Sequence, residues 1–447
     1  MPSAFAPLFG KESLVGLDIG SAYLKAVQVE TQRGTPALRI ARVAQIPTPP
    51  DAVRDGIIVD KNAVAGAIRQ MLREAGIAAT GAVTAVAGPT VVVRHIRLPR
   101  MTEAALRKSV RYEAAKHISA NVEDSVIEFE ILAPGAEAGV VPPVGGGAAT
   151  PAGSGAAAGE EDGGSSADAP SGTDQMNVML VAAPREMVES RIATVELAGL
   201  EAVAVDIEAF ALLRALVECD VPAARYQSAA LSVVEDAPVA ASPEGAAPGP
   251  AQPPLRALVD LGASHTEVTI LRGRNFALTR SIPIAGEAFT SVFRNHFKCS
   301  AAEAEQQKSL VDMALLLDPA LANDPAACAL PRLLQPQLDE LLREVRRSIH
   351  YYQSQMDGGP AASTPLSEIV LSGGGAQLQG LAPYMRARLG TEVRVGDAFE
   401  SALFDTHPEA AAFLQAHHPH LGVGLGLAVK ELLSSTLAAN ARLLKAA

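Results

Sequence analysis

A chain of 447 residues that is 48% apolar can fold into two or three domains, each burying its own core, so it is not a disordered protein as a whole. Its formal net charge of −12, with lysine and arginine scattered along the chain, supplies no basic patch for a phosphate backbone and excludes direct nucleic-acid binding. The cysteines Cys219, Cys299 and Cys328 are odd in number and far apart, without metal-ligand spacing, and read as free thiols in a reducing compartment. No charged region followed by an apolar run opens the chain, and no stretch reaches the roughly 18 uncharged apolar residues of a membrane span, so a cytoplasmic protein without a transmembrane segment is expected.

Alternating apolar residues predict strands near 14–19, 24–29 and 38–44. A helix starts at Lys61, capped by Asp60, turns Val64, Ile68 and Leu72 inward and stops at Gly76, before a strand over 82–87. The segment 91–205 has its own grammar: strand 91–98, helix 102–117, strand 126–132, strand 176–183, helix 184–198, strand 201–205. That β-α-β-β-α-β order is that of a split βαβ domain, and it reads as an insertion into a first lobe. Residues 134–175 join its two middle strands, and residues 237–254 follow later. Both runs are built from Gly, Ala, Pro and Ser with too few apolar residues to offset their ordering entropy, so the first reads as a disordered hairpin loop and the second as a flexible linker.

A second lobe begins with strands 257–261, 267–272 and 275–283, followed by helices 288–297, 301–310 and 333–356 and a strand over 368–372. Leu338, Leu341, Leu342, Val345, Ile349 and Tyr352 recur at helical spacing and read as core. A last helix carries Leu432, Leu433, Leu437, Leu443 and Leu444 with Lys430, Arg442 and Lys445. Docking on the protein's own core is expected of it rather than a membrane surface, since tryptophan is absent from the chain.

The most informative pattern is a repeat. Gly16-Leu17-Asp18-Ile19-Gly20-Ser21-Ala22-Tyr23-Leu24-Lys25 is answered by Val259-Asp260-Leu261-Gly262-Ala263-Ser264-His265-Thr266-Glu267. Each copy sets a carboxylate at the end of an apolar strand, then a glycine and a small residue, then a second strand. Such a turn exposes backbone N–H groups that can cradle phosphate oxygens while the aspartate approaches a hydrated Mg²⁺; a single copy would be an ordinary hairpin turn, but two make a clamp. After strand 368–372 comes Ser372-Gly373-Gly374-Gly375-Ala376, where three residues without Cβ let the backbone approach a flat ring or ribose. Glu305 and Lys308 lie three apart on one helix face, as an acceptor for ribose hydroxyls beside a cation, or as a surface ion pair. Hydrolysis would further need a group that orients water; Asp206 and Glu208 are the acidic candidates, with a helix cap the other reading of Asp206.

Two phosphate turns, a Glu/Lys helix and a Gly-Gly-Gly loop, in that order, resemble the actin-like ATPase superfamily. The resemblance implies an α/β fold: two actin-like, ribonuclease H-like lobes with the inserted β-α-β-β-α-β subdomain in the first. Details are similar to the PilM family of the type IV pilus: Leu8-Phe9-Gly10 ahead of the first turn, Asp55-Gly56-Ile57-Ile58-Val59-Asp60, Arg97-Leu98-Pro99 with Met101, Glu113-Ala114, Val205-Asp206-Ile207-Glu208-Ala209-Phe210-Ala211, and Gly422-Val423-Gly424-Leu425-Gly426-Leu427-Ala428. On this basis residues 1–90 form the first part of lobe I, 91–205 the inserted subdomain, 206–236 the interlobe helix and end of lobe I, 237–254 a linker, 255–420 lobe II, and 421–447 a helix returning to lobe I.

The resemblance implies an ATP- and Mg²⁺-binding protein with at most slow ATPase activity. It would be peripheral to the inner membrane through its partners, bind the N-terminal cytoplasmic tail of PilN as an adaptor of the pilus assembly platform, and be open to self-association. By carry-over, Asp18 and Asp260 would face Mg²⁺, and Gly20, Ser21, Gly262 and Ala263 would wrap the phosphates with Lys25 approaching them. Glu305 and Lys308 would hold ribose and base, and Gly373, Gly374 and Gly375 the adenine end. Ala285-Gly286-Glu287 stands where a glycine pair is expected. Two other readings stay open: an FtsA-like division protein attached to membrane by its C-terminal helix, and a phosphotransferase of the sugar-kinase branch.

Overall fold

In the computed structural model the described residues are 13–31, 38–118, 121–132, 175–220, 253–321, 324–355 and 364–433. The Leu8-Phe9-Gly10 opening, both expected low-complexity runs apart from Gln175, Pro253 and Pro254, and the chain beyond residue 433 lie outside them.

The first lobe starts with β1 (Leu14–Ile19), β2 (Tyr23–Thr31) and β3 (Leu38–Pro47), an antiparallel meander. A short hairpin, β4 (Val53–Arg54) and β5 (Ile57–Ile58), leads into α1 (Lys61–Glu74). Asp60 caps that helix, its side chain accepting the Ala63 N–H at 2.9 Å, and Gly76 leaves it at a φ of +63°. β6 (Gly81–Val86) then lies parallel to β1, and both strands are almost wholly buried, as central strands covered on two faces must be.

β7 (Val92–Pro99), α2 (Glu103–Ala114), β8 (Ser125–Ile131) and β9 (Gln175–Pro184) form a separate antiparallel sheet in the order β7-β9-β8. α2 covers it, packing Leu106, Val110 and Ala114 on Ile96, Leu98, Val178 and Leu180. This corrects the expected six-element insertion. The next helix, α3 (Arg185–Leu197), and strand, β10 (Glu201–Ile207), belong to the first lobe, with β10 pairing parallel to β6 at the edge of the main sheet. The physical reason is burial: α3 packs Val195 and Ala198 into the core shared by α1 and β1, whereas nothing of α3 enters the α2 core. The inserted unit is therefore β-α-β-β.

α4 (Glu208–Leu213), extended by a π-helical turn over Arg214–Glu218, leads toward the second lobe. There β11 (Leu255–Leu261), β12 (Thr266–Arg272) and β13 (Asn275–Ile282) repeat the meander. α5 (Gly286–Phe297), α6 (Ala301–Ser309) and α7 (Ala329–Gln355) follow, then β14 (Leu366–Ser372), α8 (Leu381–Leu389) and β15 (Glu392–Val395). The sheet order is β13-β12-β11-β14-β15. The apolar stripe of α7 from Leu338 to Tyr352 is buried as its spacing requires.

The chain returns to the first lobe earlier than residue 421, a second correction. β16 (Phe404–Thr406) adds to β3, giving the order β10-β6-β1-β2-β3-β16, and α9 (Pro408–His417) packs beside it. The Leu38 N–H donating to the Leu403 carbonyl at 2.9 Å starts this pairing. α10 (Gly422–Ala428) then runs fully buried against β1 and α4, where its glycines allow a backbone-to-backbone approach. Cys219 and Cys328 are buried, Cys299 is partly exposed, and all three are free thiols. Among the described residues no helix is long and apolar enough to cross a membrane.

Candidate functional site

The two repeated segments fold alike. β1–β2 and β11–β12 are hairpins whose turns close identically: the Gly20 N–H donates to the Tyr23 carbonyl and the Gly262 N–H to the His265 carbonyl, each at 3.1 Å. A Cβ on Gly262 would sit 2.8 Å from the His265 oxygen, and one on Gly20 3.0 Å from that of Tyr23, so the closure needs glycine in both places. Asp18 pairs across its ladder with Lys25, and Asp260 with Glu267. The copies therefore match in backbone and differ in charge at one position.

The turns line one cleft of about 1020 Å³ between the lobes, which also takes in Glu208, Glu305, Lys308 and the loop Gly373 to Gly375. Asp18, Gly20, Ser21, Lys25, Asp260, Gly262 and Ala263 all reach it. Of the residues expected at the site, only Asp206 does not. Its carboxylate is occupied elsewhere: Oδ2 pairs with Arg214 and with Lys430 at 3.1 Å each, and Oδ1 accepts the Ile207 N–H at 2.8 Å. Asp206 thus ties the end of β10 to α4 and to the segment after α10, and it neither caps the helix nor faces the cleft.

Inside the cleft charges are concentrated. Lys25 Nζ donates to Asp18 Oδ2 at 2.8 Å; burial works against its charge, but Asp18, and beyond it Asp260 and Glu208, outweigh that and raise its pKa. Burial is also the main cause that raises Asp260, although Lys25 pulls the other way and Ser372 hydrogen-bonds the carboxylate. Glu208 is pushed up to about 8, by burial first and by Asp18 second, with Arg191 opposing. Glu267, behind the second hairpin, rises to about 7 through burial while donating nothing to the cleft; Thr279 Oγ1 donates to it at 2.7 Å.

The glycine loop is shaped by close approach. Gly373 has a φ of +84°, its N–H donates to the Pro419 carbonyl at 2.9 Å, and a Cβ there would come within 2.5 Å of Asp260 Oδ1. Glu305 and Lys308 do pair, at 2.7 Å, and Thr290 bridges them: its Oγ1 donates to Glu305 at 2.6 Å and accepts from Lys308 at 3.0 Å. In Ala285-Gly286-Glu287 one glycine of the expected pair is present. Gly286 and Glu287 N–H groups donate to the Gly262 and Ala263 carbonyls at 3.1 and 2.8 Å, which fixes the start of α5 to the second turn. Glu287 then accepts from Ser21 across the cleft at 3.1 Å.

Sequence reasoning missed Arg191, Thr290 and His420, which also line the cleft. Arg191 did leave a signal. It occupies the same helical stripe as Met187, Thr194, Val195 and Ala198, a charge at a position whose neighbours along the face are all buried.

A known family and a solved structure share this fold. The family profile described as type IV pilus assembly protein PilM matches residues 16–140, 165–236 and 245–432. A solved structure titled "PilM-PilN type IV pilus biogenesis complex" is similar at 25% identity and a TM-score of 0.67, over 94% of this chain and 98% of that one. The cell division protein FtsA of Escherichia coli strain K12 is 27% identical over 152 residues, 31% of this chain; the chain spans about a third (36%) of the length of that relative. The fold is the α/β fold of the actin-like ATPase superfamily, related to PilM and FtsA. With a profile match that runs from the first turn through the glycine-rich α10, the chain belongs to the PilM family of type IV pilus assembly proteins.

Proposed function

We propose that the chain is a cytoplasmic ATP-binding adaptor of the inner-membrane platform that assembles type IV pili. It takes the N-terminal tail of PilN as its partner and is peripheral to the inner membrane through that contact. The observation that carries the proposal is the likeness to the PilM–PilN structure over 94% of the chain.

The residues of the cleft fit Mg²⁺ and ATP. Among the described residues no three His, Cys, Asp or Glu side chains are grouped to hold a metal by themselves. Mg²⁺ is typically bound through one or two carboxylates together with substrate phosphates, which is what Asp18 and Asp260 at the head of a cleft offer. When bound, the ion supplies charge neutralisation to the polyphosphate. Gly20 and Gly262 use their own N–H groups to close the turns, so their part is to lack a Cβ, while Ser21 and Ala263 present backbone to phosphate. Lys25 brings the cation. Glu305 and Lys308, oriented by Thr290, hold ribose and base, and Gly373, Gly374 and Gly375 accept the adenine end. Glu208 is the acidic group in position to orient water. The proposed activity is nucleotide binding with at most slow turnover.

Titration calorimetry with a peptide of the PilN cytoplasmic tail, with and without ATP and Mg²⁺, tests the adaptor reading; a protein that binds nucleotide but no peptide overturns it. The match to FtsA favours a second reading, a membrane-associated division protein. Flotation of the full chain with anionic vesicles, in the absence of any partner, would select it.

A further inference from the structure

Arg191 is the anomaly of the molecule. It lies on α3 with 2% of its surface exposed, yet Nε and Nη1 have no hydrogen-bond partner. Buried guanidinium donors without acceptors lose their hydration uncompensated, and native proteins rarely leave them so. Its surroundings explain the direction it faces. Arg191 lines the cleft that holds both turns, and the charges acting on it there are Glu208 and Asp18. Of the two, Glu208 acts on it more strongly. Neither carboxylate hydrogen-bonds Nε or Nη1, which leaves both donors without an acceptor from the protein.

Resting on the nucleotide reading above, we propose that Arg191 binds the terminal phosphate of ATP, and so makes α3 the element that distinguishes ATP from ADP. Guanidinium suits this task because its planar donors engage two phosphate oxygens at once. The helix that carries it is also wired to the inserted sheet. α3 continues directly from β9, and Arg185, in its first turn, donates to the Ser125 and Glu123 carbonyls of the β8 edge at 3.3 and 3.4 Å. Fewer than two turns of rigid helix separate that contact from Arg191. On its other side Ser190 accepts the Ile58 N–H at 3.3 Å, anchoring α3 beside the small hairpin. A terminal phosphate that holds Arg191 therefore orders the element from which the three-stranded sheet departs.

Calorimetry of ATP and ADP binding in Mg²⁺, on the full chain and on Arg191→Met and Arg191→Lys, tests this. In the wild type ATP binds more tightly than ADP. Arg191→Met weakens ATP on the order of 10- to 100-fold and leaves ADP within twofold, and Arg191→Lys, which keeps the charge but not the fork, falls between. The ligand-free melting temperature of Arg191→Met does not drop, since an uncompensated charge has been removed, and hydrogen exchange in α3 is slowed by ATP in the wild type alone. Equal losses for ATP and ADP, or a lower melting temperature in the ligand-free variant, would mean a structural arginine and overturn the inference. A wild type that binds neither nucleotide would instead remove the reading of the cleft, and the inference with it.

Discussion

Gly426→Ala and Gly66→Ala are the same substitution inside two helices, and the structure gives them opposite signs. Alanine favours a helix over glycine by about 1 kcal/mol. At Gly66, on α1, a Cβ meets nothing nearer than the far end of the Arg69 side chain at 3.8 Å, so that gain is realised in full. At Gly426, on α10, the new carbon would overlap the Ala211 carbonyl oxygen and lie 2.5 and 2.9 Å from the Ala211 carbonyl carbon and Cα. Those are backbone atoms of α4 and have no rotamer to escape into. Relief requires the two helices to part by about 1 Å, and overpacking of a close-packed core costs on the order of 1–3 kcal/mol, the upper end when backbone must move. Subtracting the helix gain leaves a net loss of about 2 kcal/mol. Because α10 also places Val423 in the cleft, Gly426→Ala should lower nucleotide affinity together with stability. Urea unfolding followed by circular dichroism checks the pair: the Gly66→Ala midpoint rises and the Gly426→Ala midpoint falls. A Gly426→Ala protein as stable as the wild type would refute the claim that α10 is held by backbone contact.

Asp18→Ala removes a proposed metal-facing carboxylate and should take Mg²⁺-dependent ATP binding below calorimetric detection; unchanged affinity would withdraw the site. Asp206→Asn breaks a partly buried triad with Arg214 and Lys430, so it should cost on the order of 3 kcal/mol in unfolding experiments while nucleotide affinity stays the same. His420, which burial first and Lys25 second push down to about 4, resists protonation when folded. Its folded pKa lies below the unfolded value near 6.5, so its contribution is present above that value and is lost as pH falls toward 4, amounting to about 2 kcal/mol at pH 5. Melting temperatures of His420→Gln should therefore fall less steeply than those of the wild type between pH 6.5 and 4, and parallel curves would contradict the assignment.

Most element positions were legible because their causes are local. Alternation at 14–19, the Asp60 cap and the Gly76 stop are written within a few residues of the structures they produce. The cleft was legible for another reason: two turns with the same Asp-x-Gly spacing must close the same way, and backbone closure is a short-range event. What the sequence concealed was long-range choice. Nothing in Glu201 to Ile207 says whether the strand joins β6 or the inserted sheet, because alternation reports which face is buried and not which neighbour covers it. β16 is three residues long, too short for any periodicity. Asp206 and Glu208 look equivalent because a strand period of two would put them on one face. The strand ends at Ile207, however, and the helix that begins at Glu208 breaks that parity, sending one carboxylate to Arg214 and the other into the cleft.

The unequal charge of the two hairpins has a last consequence. Lys25 and Glu267 hold the same rung of their ladders, so the first hairpin pairs Asp18 with a cation, whereas the second sets Asp260 across from another carboxyl group. A mirror-like pair of jaws would admit a guest head-first or tail-first with equal ease. Here Lys25 reaches the cleft beside Asp18, while Glu267 on the matching rung stays out of it and Asp260 has no lysine on its own hairpin, so duplication gave the molecule its symmetry and a single exchanged residue gives the cleft its compass.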